Sequence, residues 1–247
     1  SESESGIKLR PRSVAEMQPY LLAYGAIISS VSPFASCYQL CKLNPQVKTT
    51  TAEMLKLSLA ILPQQMILKD MQMTIATPIK KKLNPWAAFA AIGVLQGLVY
   101  GHSNVHFANA LHIGSKPPSL AGVFKGVGFA GARDLISQGF PFVFAPVLEK
   151  SILDRVVPSK NNALVTGVKH WLSVFALSVF GTYASQGFHN SQITMQANTD
   201  LGYAGAVKKL FAMNGFAALY KGAEARVGLL LVVAFLNELL LKKAWQG

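Results

Sequence analysis

Apolar residues gather along this chain in six long stretches, near 19–41, 54–78, 86–111, 127–152, 163–196 and 225–244. Each is long enough to cross a bilayer as a helix, which takes about 20 predominantly apolar residues. None is purely apolar, because Gly, Ser, Gln, Asn or His interrupts every one. Helices with one greasy stripe and one small or polar stripe pack around a shared interior instead of standing singly in lipid. The fifth stretch is longer than one span, so its end is expected outside the membrane.

The connections fall into two sets. Lys80–Pro85 and Asp154–Asn162 are short, turn-rich loops assigned to one side, with both termini. On the other side, LNPQVKTTTAE is brief, HIGSKPPSLAGVFKG is longer, and ANTDLGYAGAVKKLFAMNGFAALYKG is longest. Within Gly205–Gly215 of the last, Ala206, Val207, Leu210, Phe211 and Met213 form a stripe beside Lys208 and Lys209. That pattern predicts a helix lying on a membrane surface, its lysines near lipid phosphates.

Composition agrees with the pattern. Hydrophobic residues make up 51% of the chain and charged residues 14%, against about 25% charged in ordinary soluble domains. A net charge of +12 fits an anionic membrane surface or a basic pore for acidic solutes. The basic residues are scattered and no nucleic-acid motif accompanies them, so nucleic acid is not an expected partner. The opening SESESGIKLRPRS has no apolar core and reads as no cleavable targeting signal.

An internal repeat runs through the chain. Val123-Phe-Lys-Gly126 is echoed by Leu219-Tyr-Lys-Gly222, and each is followed by an arginine, Arg133 or Arg226, and an apolar helix. Gly101-His-Ser-Asn104 is echoed by Gly187-Phe-His-Asn190, with Ser32-Pro33-Phe34-Ala35 at the corresponding place in the first third. Three helix pairs account for the length.

On these residues the chain resembles the mitochondrial carrier family. The resemblance covers the whole chain in helix count, and motifs match from about 93 to 152 and 163 to 243. The third repeat matches best, with Gln196, Tyr203-Ala-Gly205, Gly215, Leu219-Tyr-Lys-Gly222, Arg226 and Glu238 in order. The resemblance implies an all-α membrane protein of six transmembrane helices in three repeats, about 15–80, 84–155 and 160–245. Each repeat carries a short matrix surface helix, the first being shortened. It also implies the mitochondrial inner membrane as location and cardiolipin or another phospholipid as a bound lipid. One lipid site would take Tyr203, Gly205, Lys221 and Gly222, and another Lys125 and Gly126. The plainer reading is that these glycines cap helices and these lysines snorkel.

The family's moving parts are missing. Its odd helices end in Pro-x-Asp/Glu-x-x-Lys/Arg, whose charges pair across repeats and close the matrix side. Here the three boxes read Pro33, Ala35, Tyr38; Gly101, Ser103, His106; and Gly187, His189, Gln192. No acidic position is acidic and no basic position holds Lys or Arg. The two glycines that replace proline are read as places where a helix can still bend. At the opposite ends, Glu149 and Glu238 lack a base three residues on, where Ile152 and Leu241 stand, and Asp70 is followed by Met73.

Arg133 and Arg226 occupy places where carriers of anionic solutes put basic contacts. The alternative is that both sit near helix starts and bind a lipid or a carbonyl. His102 and His106 share a helix face, but no third metal ligand is evident. Cys37 and Cys41 read as buried small residues. No Ser–His–Asp order, Walker loop or Gly-x-Gly-x-x-Gly is present, so an enzyme is not expected.

Three functions follow. The first is a carrier-derived, non-transporting subunit of a large inner-membrane assembly such as a respiratory-chain complex or supercomplex, held by lipids and neighbouring subunits. The second is a divergent carrier of a small anionic metabolite, gated by hydrogen bonds from Ser103, His106, His189 and Gln192. The third is a membrane-protein insertase.

Overall fold

The computed structural model of this chain describes residues 14–114, 120–156 and 163–236, and every regular element among them is helical. The helices are α1 Val14–Leu43, α2 Thr51–Lys82, α3 Pro85–Ala110, α4 Val127–Leu148, α5 Ala163–Ala197, α6 Tyr203–Asn214 and α7 Ala223–Leu236. α4 runs on through a π-helical turn, Glu149–Leu153, and a last turn, Asp154–Val156. The predicted surface helix is α6, and the shortened first connection is residues 44–50. The terminal Glu238 and Leu241, the SESESG segment and loop residues 115–119 and 157–162 lie outside the described residues.

Local chemistry sets the boundaries. α2 opens with a reciprocal cap: the Thr50 hydroxyl accepts the Glu53 N–H at 3.2 Å, and the Glu53 carboxylate accepts the Thr50 N–H at 2.7 Å. Two of the donors left over at a helix start are thereby satisfied. α3 opens with the Asn84 side chain accepting from the Ala87 N–H, and Pro85 in the first turn where no N–H is needed. α4 and α7 open in the same way as each other. A short 3-10 turn, Leu120–Phe124 or Gly215–Leu219, leads to Gly126 at φ 70° or Gly222 at φ 75°. Positive φ at these positions favours glycine. The sequence echo is thus a repeated local structure.

Each long helix packs on its neighbours in sequence, and α7 closes onto α1. The result is a ring of α1, α2, α3, α4, α5 and α7. Its inside is polar, with Ser29, Gln39, Gln65, Arg133, Gln186 and Asn190 among the buried side chains. Its outside is apolar, exposing Leu22, Leu59, Ile67, Trp171, Phe175 and Phe180. In water this arrangement would leave large apolar patches wet. In lipid it satisfies both surfaces, since polar groups are tolerated there only when turned inward and bonded.

Among the described residues one helix, Gln18–Leu43, is long and apolar enough by composition to cross a membrane. α6, with 12 residues, and α7, described over 14, are shorter than that measure requires. α4 holds Arg133, Asp134 and Ser137, and α5 holds Gln186, His189, Asn190 and Gln192.

At Gly101 and Gly187, read from the sequence as places where a helix can still bend, the structure shows close packing. A Cβ at Gly101 would lie 2.6 Å from the Val123 carbonyl oxygen. A Cβ at Gly187 would lie 2.9 Å from Leu219 Cδ2. Both glycines are seats for a 3-10 turn. The first repeat keeps Pro33 where residues 44–50 supply no such turn.

Candidate functional site

Inside the ring lies a cavity of about 90 Å³, reaching from Gln39 and His189 towards Lys80 and Val233. Arg133, Asp134 and Ser137 of α4, Lys69 of α2 and Arg226 of α7 all line it. The structure therefore brings together the two arginines singled out from the sequence. Three cations against one carboxylate give this part of the cavity a positive bias.

Arg133 is the hub, with 2% of its surface exposed. Its Nε donates to Asp134 Oδ1 at 2.6 Å. Its Nη1 donates to His189 Nδ1 at 3.2 Å and to Gln192 Oε1 at 3.1 Å. The guanidinium also lies 5.5 Å from the Tyr100 ring centroid. Because His189 Nδ1 accepts, the proton of the neutral ring sits on Nε2, which donates to Gln39 Oε1. Gln39 Nε2 in turn donates to the Gly222 carbonyl at 3.3 Å.

The network continues on the other side of Arg133. Gln192 Nε2 donates to the Gly97 carbonyl and to Gln196 Oε1, each at 3.4 Å. Gln196 Nε2 reaches the same Gly97 carbonyl at 3.2 Å, and Asn104 Nδ2 donates to Gln196 Oε1 at 2.8 Å. One connected set of bonds thus joins α1, α3, α4, α5 and the turn before α7. It forms a floor to the cavity on the side of residues 44–50.

The other two cations are bonded within the bundle. Arg226 donates to Ser185 Oγ at 2.9 Å, Gln186 Oε1 at 3.2 Å and the Thr182 carbonyl at 3.4 Å. Lys69 Nζ donates to Gln72 Oε1 at 2.8 Å. Among the described residues, three cavity-lining atoms have no hydrogen-bond partner: Arg133 Nη2, Asp134 Oδ2 and Ser137 Oγ. Buried polar atoms are usually bonded, so their clustering marks the α4 wall of the cavity.

The nine box positions take different roles. His189 and Gln192 enter the floor, and Ala35 lines the cavity among Tyr100 and Leu229. The Tyr38 hydroxyl donates to Glu224 Oε1 at 2.8 Å, tying α1 to α7. Ser103 bonds only within its own helix, to the Tyr100 carbonyl at 3.0 Å. His106 Nε2 is buried without a partner, its ring edge-on to Phe107. Of Ser103, His106, His189 and Gln192, the structure joins His189 and Gln192 in one network with Gln39, Arg133 and Gln196. Pro33 lies inside α1, and Gly101 and Gly187 seat their turns.

At the other end, Glu149 finds its partner across the bundle. His170 Nδ1 stands 2.7 Å from Glu149 Oε1, and Lys169 Nζ donates to Asp154 Oδ1 at 2.8 Å. Asp70 accepts from Gln18 Nε2 at 3.3 Å.

The residues expected at lipid sites group differently from that expectation. The Tyr203 hydroxyl accepts the Gly128 N–H at 3.2 Å, and its ring packs 4.7 Å from that of Phe129. Tyr203, at the start of α6, therefore packs on the start of α4, which follows Lys125 and Gly126. The Lys221 carbonyl accepts from Gln186 and Asn190, each at 3.1 Å, while Gly222 seats against Gln39. That glycine is a packing position.

No protein-family model matches this chain, and no curated protein matches it. Asp134, Gln39 and Lys69 are the residues that sequence reasoning did not bring to the site. The available signal was a charged or amide side chain inside an apolar stretch, and all three carry it.

Proposed function

We propose that the chain is a six-span, carrier-like bundle of the mitochondrial inner membrane and a non-transporting structural subunit of a larger assembly there. A respiratory-chain complex or supercomplex is the expected host. The observation that carries this reading is the floor from Gln39 to Asn104. An alternating carrier opens by breaking charge pairs between repeats. Here the repeats are joined instead by amides, an imidazole and a buried arginine bonded to several helices at once. Opening would leave many buried polar groups unpaired together. A phospholipid such as cardiolipin is proposed beside Lys125, Gly126 and Tyr203, where helix-start N–H groups and a lysine suit a phosphate. The test is gentle solubilisation of the native membrane, native-gel separation and mass spectrometry of the band holding this chain. Co-migration with a large assembly at fixed stoichiometry is expected. Migration as a free particle of its own mass would overturn the reading.

A second reading, a divergent solute carrier, is favoured by the unpartnered Arg133 Nη2, Asp134 Oδ2 and Ser137 Oγ around one cavity. A solute with an acidic group and a nearby amine or hydroxyl would satisfy all three. Uptake of such solutes into liposomes holding the purified chain, lost in Asp134→Asn, would support it. No uptake above empty liposomes would exclude it. The insertase reading gains no support from the closed ring of helices.

A further inference from the structure

The outward face of α2 carries a polar centre. Gln64 is exposed near the middle of this 32-residue helix. Among the described residues it is the only amide- or charge-bearing side chain exposed at mid-helix on the outside of the ring. The outward face of α5, by contrast, presents Trp171, Phe175, Phe180 and Tyr183. Beside Gln64, Pro63 has no N–H to return to the Leu59 carbonyl, so a backbone acceptor is left at the same level. Ala60, Ile67, Met71 and Thr74 are exposed along the same stripe. Their spacing suits the seam of a helix pair, with a small residue for close approach.

A primary amide and an open carbonyl at mid-membrane are costly against acyl chains. The flank is also uncovered, because residues 44–50 form neither a 3-10 turn nor a surface helix. The stripe ends at Lys82, whereas Lys80 lines the interior cavity. Two copies of the chain meeting in parallel along it would set their Lys82 side chains near each other, which disfavours self-pairing.

We infer that this face docks one transmembrane helix of a different protein, which hydrogen-bonds Gln64 at mid-span and brings an acidic residue to the Lys82 end. The inference rests on the membrane-subunit reading and adds where the neighbour binds and what it presents. The experiment places a photoreactive benzophenone residue at Gln64, at Ile67 and, as control, at Phe175, in the full chain in its native membrane. Gln64 and Ile67 are expected to label one transmembrane peptide of another protein, with a polar residue at mid-span, and Phe175 only lipid. Gln64→Leu is expected to lower the fraction of chain migrating with that protein by about three- to tenfold. Lipid-only labelling at Gln64, or labelling of a second copy, would overturn the inference. Alkaline carbonate separates the two failures. A chain that stays in the membrane while Gln64 labels only lipid overturns the docking face alone. A chain that washes off overturns the membrane reading with it.

Discussion

Arg133 and Gln192 meet at 3.1 Å in the interior, joining α4 to the helix that carries the third degenerate box. Arg133 also carries Asp134, which has no other hydrogen-bond partner among the described residues. Removing the guanidinium leaves a buried carboxylate uncompensated and strips one bond each from His189 and Gln192. Breaking a buried pair from one side typically costs about 3–5 kcal/mol. Arg133→Gln is therefore expected to lower the thermal midpoint of the detergent-solubilised protein strongly. Arg133→Lys should rescue little, because an ammonium does not reproduce the planar fork. An unchanged midpoint in Arg133→Gln would remove the hub from the floor.

Glycine has a packing role at Gly101 and none at Gly167. A methyl at Gly101 would meet the Val123 carbonyl at 2.6 Å and Gln196 Nε2 at 2.7 Å, whereas nothing lies within 4 Å of the Gly167 position. Gly101→Ala should destabilise by about 1–3 kcal/mol through forced displacement of the turn. Gly167→Ala, within α5, should stabilise by about 0.5–1 kcal/mol. Equal thermal midpoints for the two variants would contradict the seating of the 3-10 turn on Gly101.

Tyr203 makes a separable pair of contacts, a hydroxyl to the Gly128 N–H and a ring to Phe129. Tyr203→Phe should cost about 0.5–1.5 kcal/mol, the net value of one hydrogen bond. Tyr203→Ala should cost more by also losing the ring contact. Hydrogen exchange at the first turn of α4 should rise in both. Exchange unchanged in Tyr203→Phe would argue against the bond.

The cap of α2 gives a pH dependence with a definite sign. The Thr50 backbone N–H, and then the hydroxyls of Thr50 and Thr49, hold the Glu53 carboxyl below the usual glutamate range. A depressed folded-state value means the cap's contribution is fully present above the unfolded glutamate value, near 4.5. It is lost as pH falls through the lower folded value. Exchange of amides in the first turn of α2, corrected for intrinsic rate, should therefore accelerate below that range. Glu53→Gln should flatten the dependence. An unaltered profile in Glu53→Gln would assign the effect elsewhere.

The amino-acid sequence by itself determined the elements. Six apolar stretches, the stripe in Gly205–Gly215 and the paired Lys-Gly turns each encode a local structure through helical periodicity or positive φ, which depend on neighbours along the chain. The sequence also made plain that the box charges are absent. What replaces those charges was decided only by tertiary structure. Gln39 lies just beyond the first box, and it meets His189 across 150 positions. The glycines at 101 and 187 looked like hinges because a missing side chain suits bending and close packing equally. The close packing became visible only through the positions of Val123 and Leu219. Asp134 was not read as a site residue for a different reason. An aspartate next to an arginine reads as an ordinary helix-surface pair until the fold turns both inward, where water no longer screens them and each remaining bond must come from the protein or from a ligand.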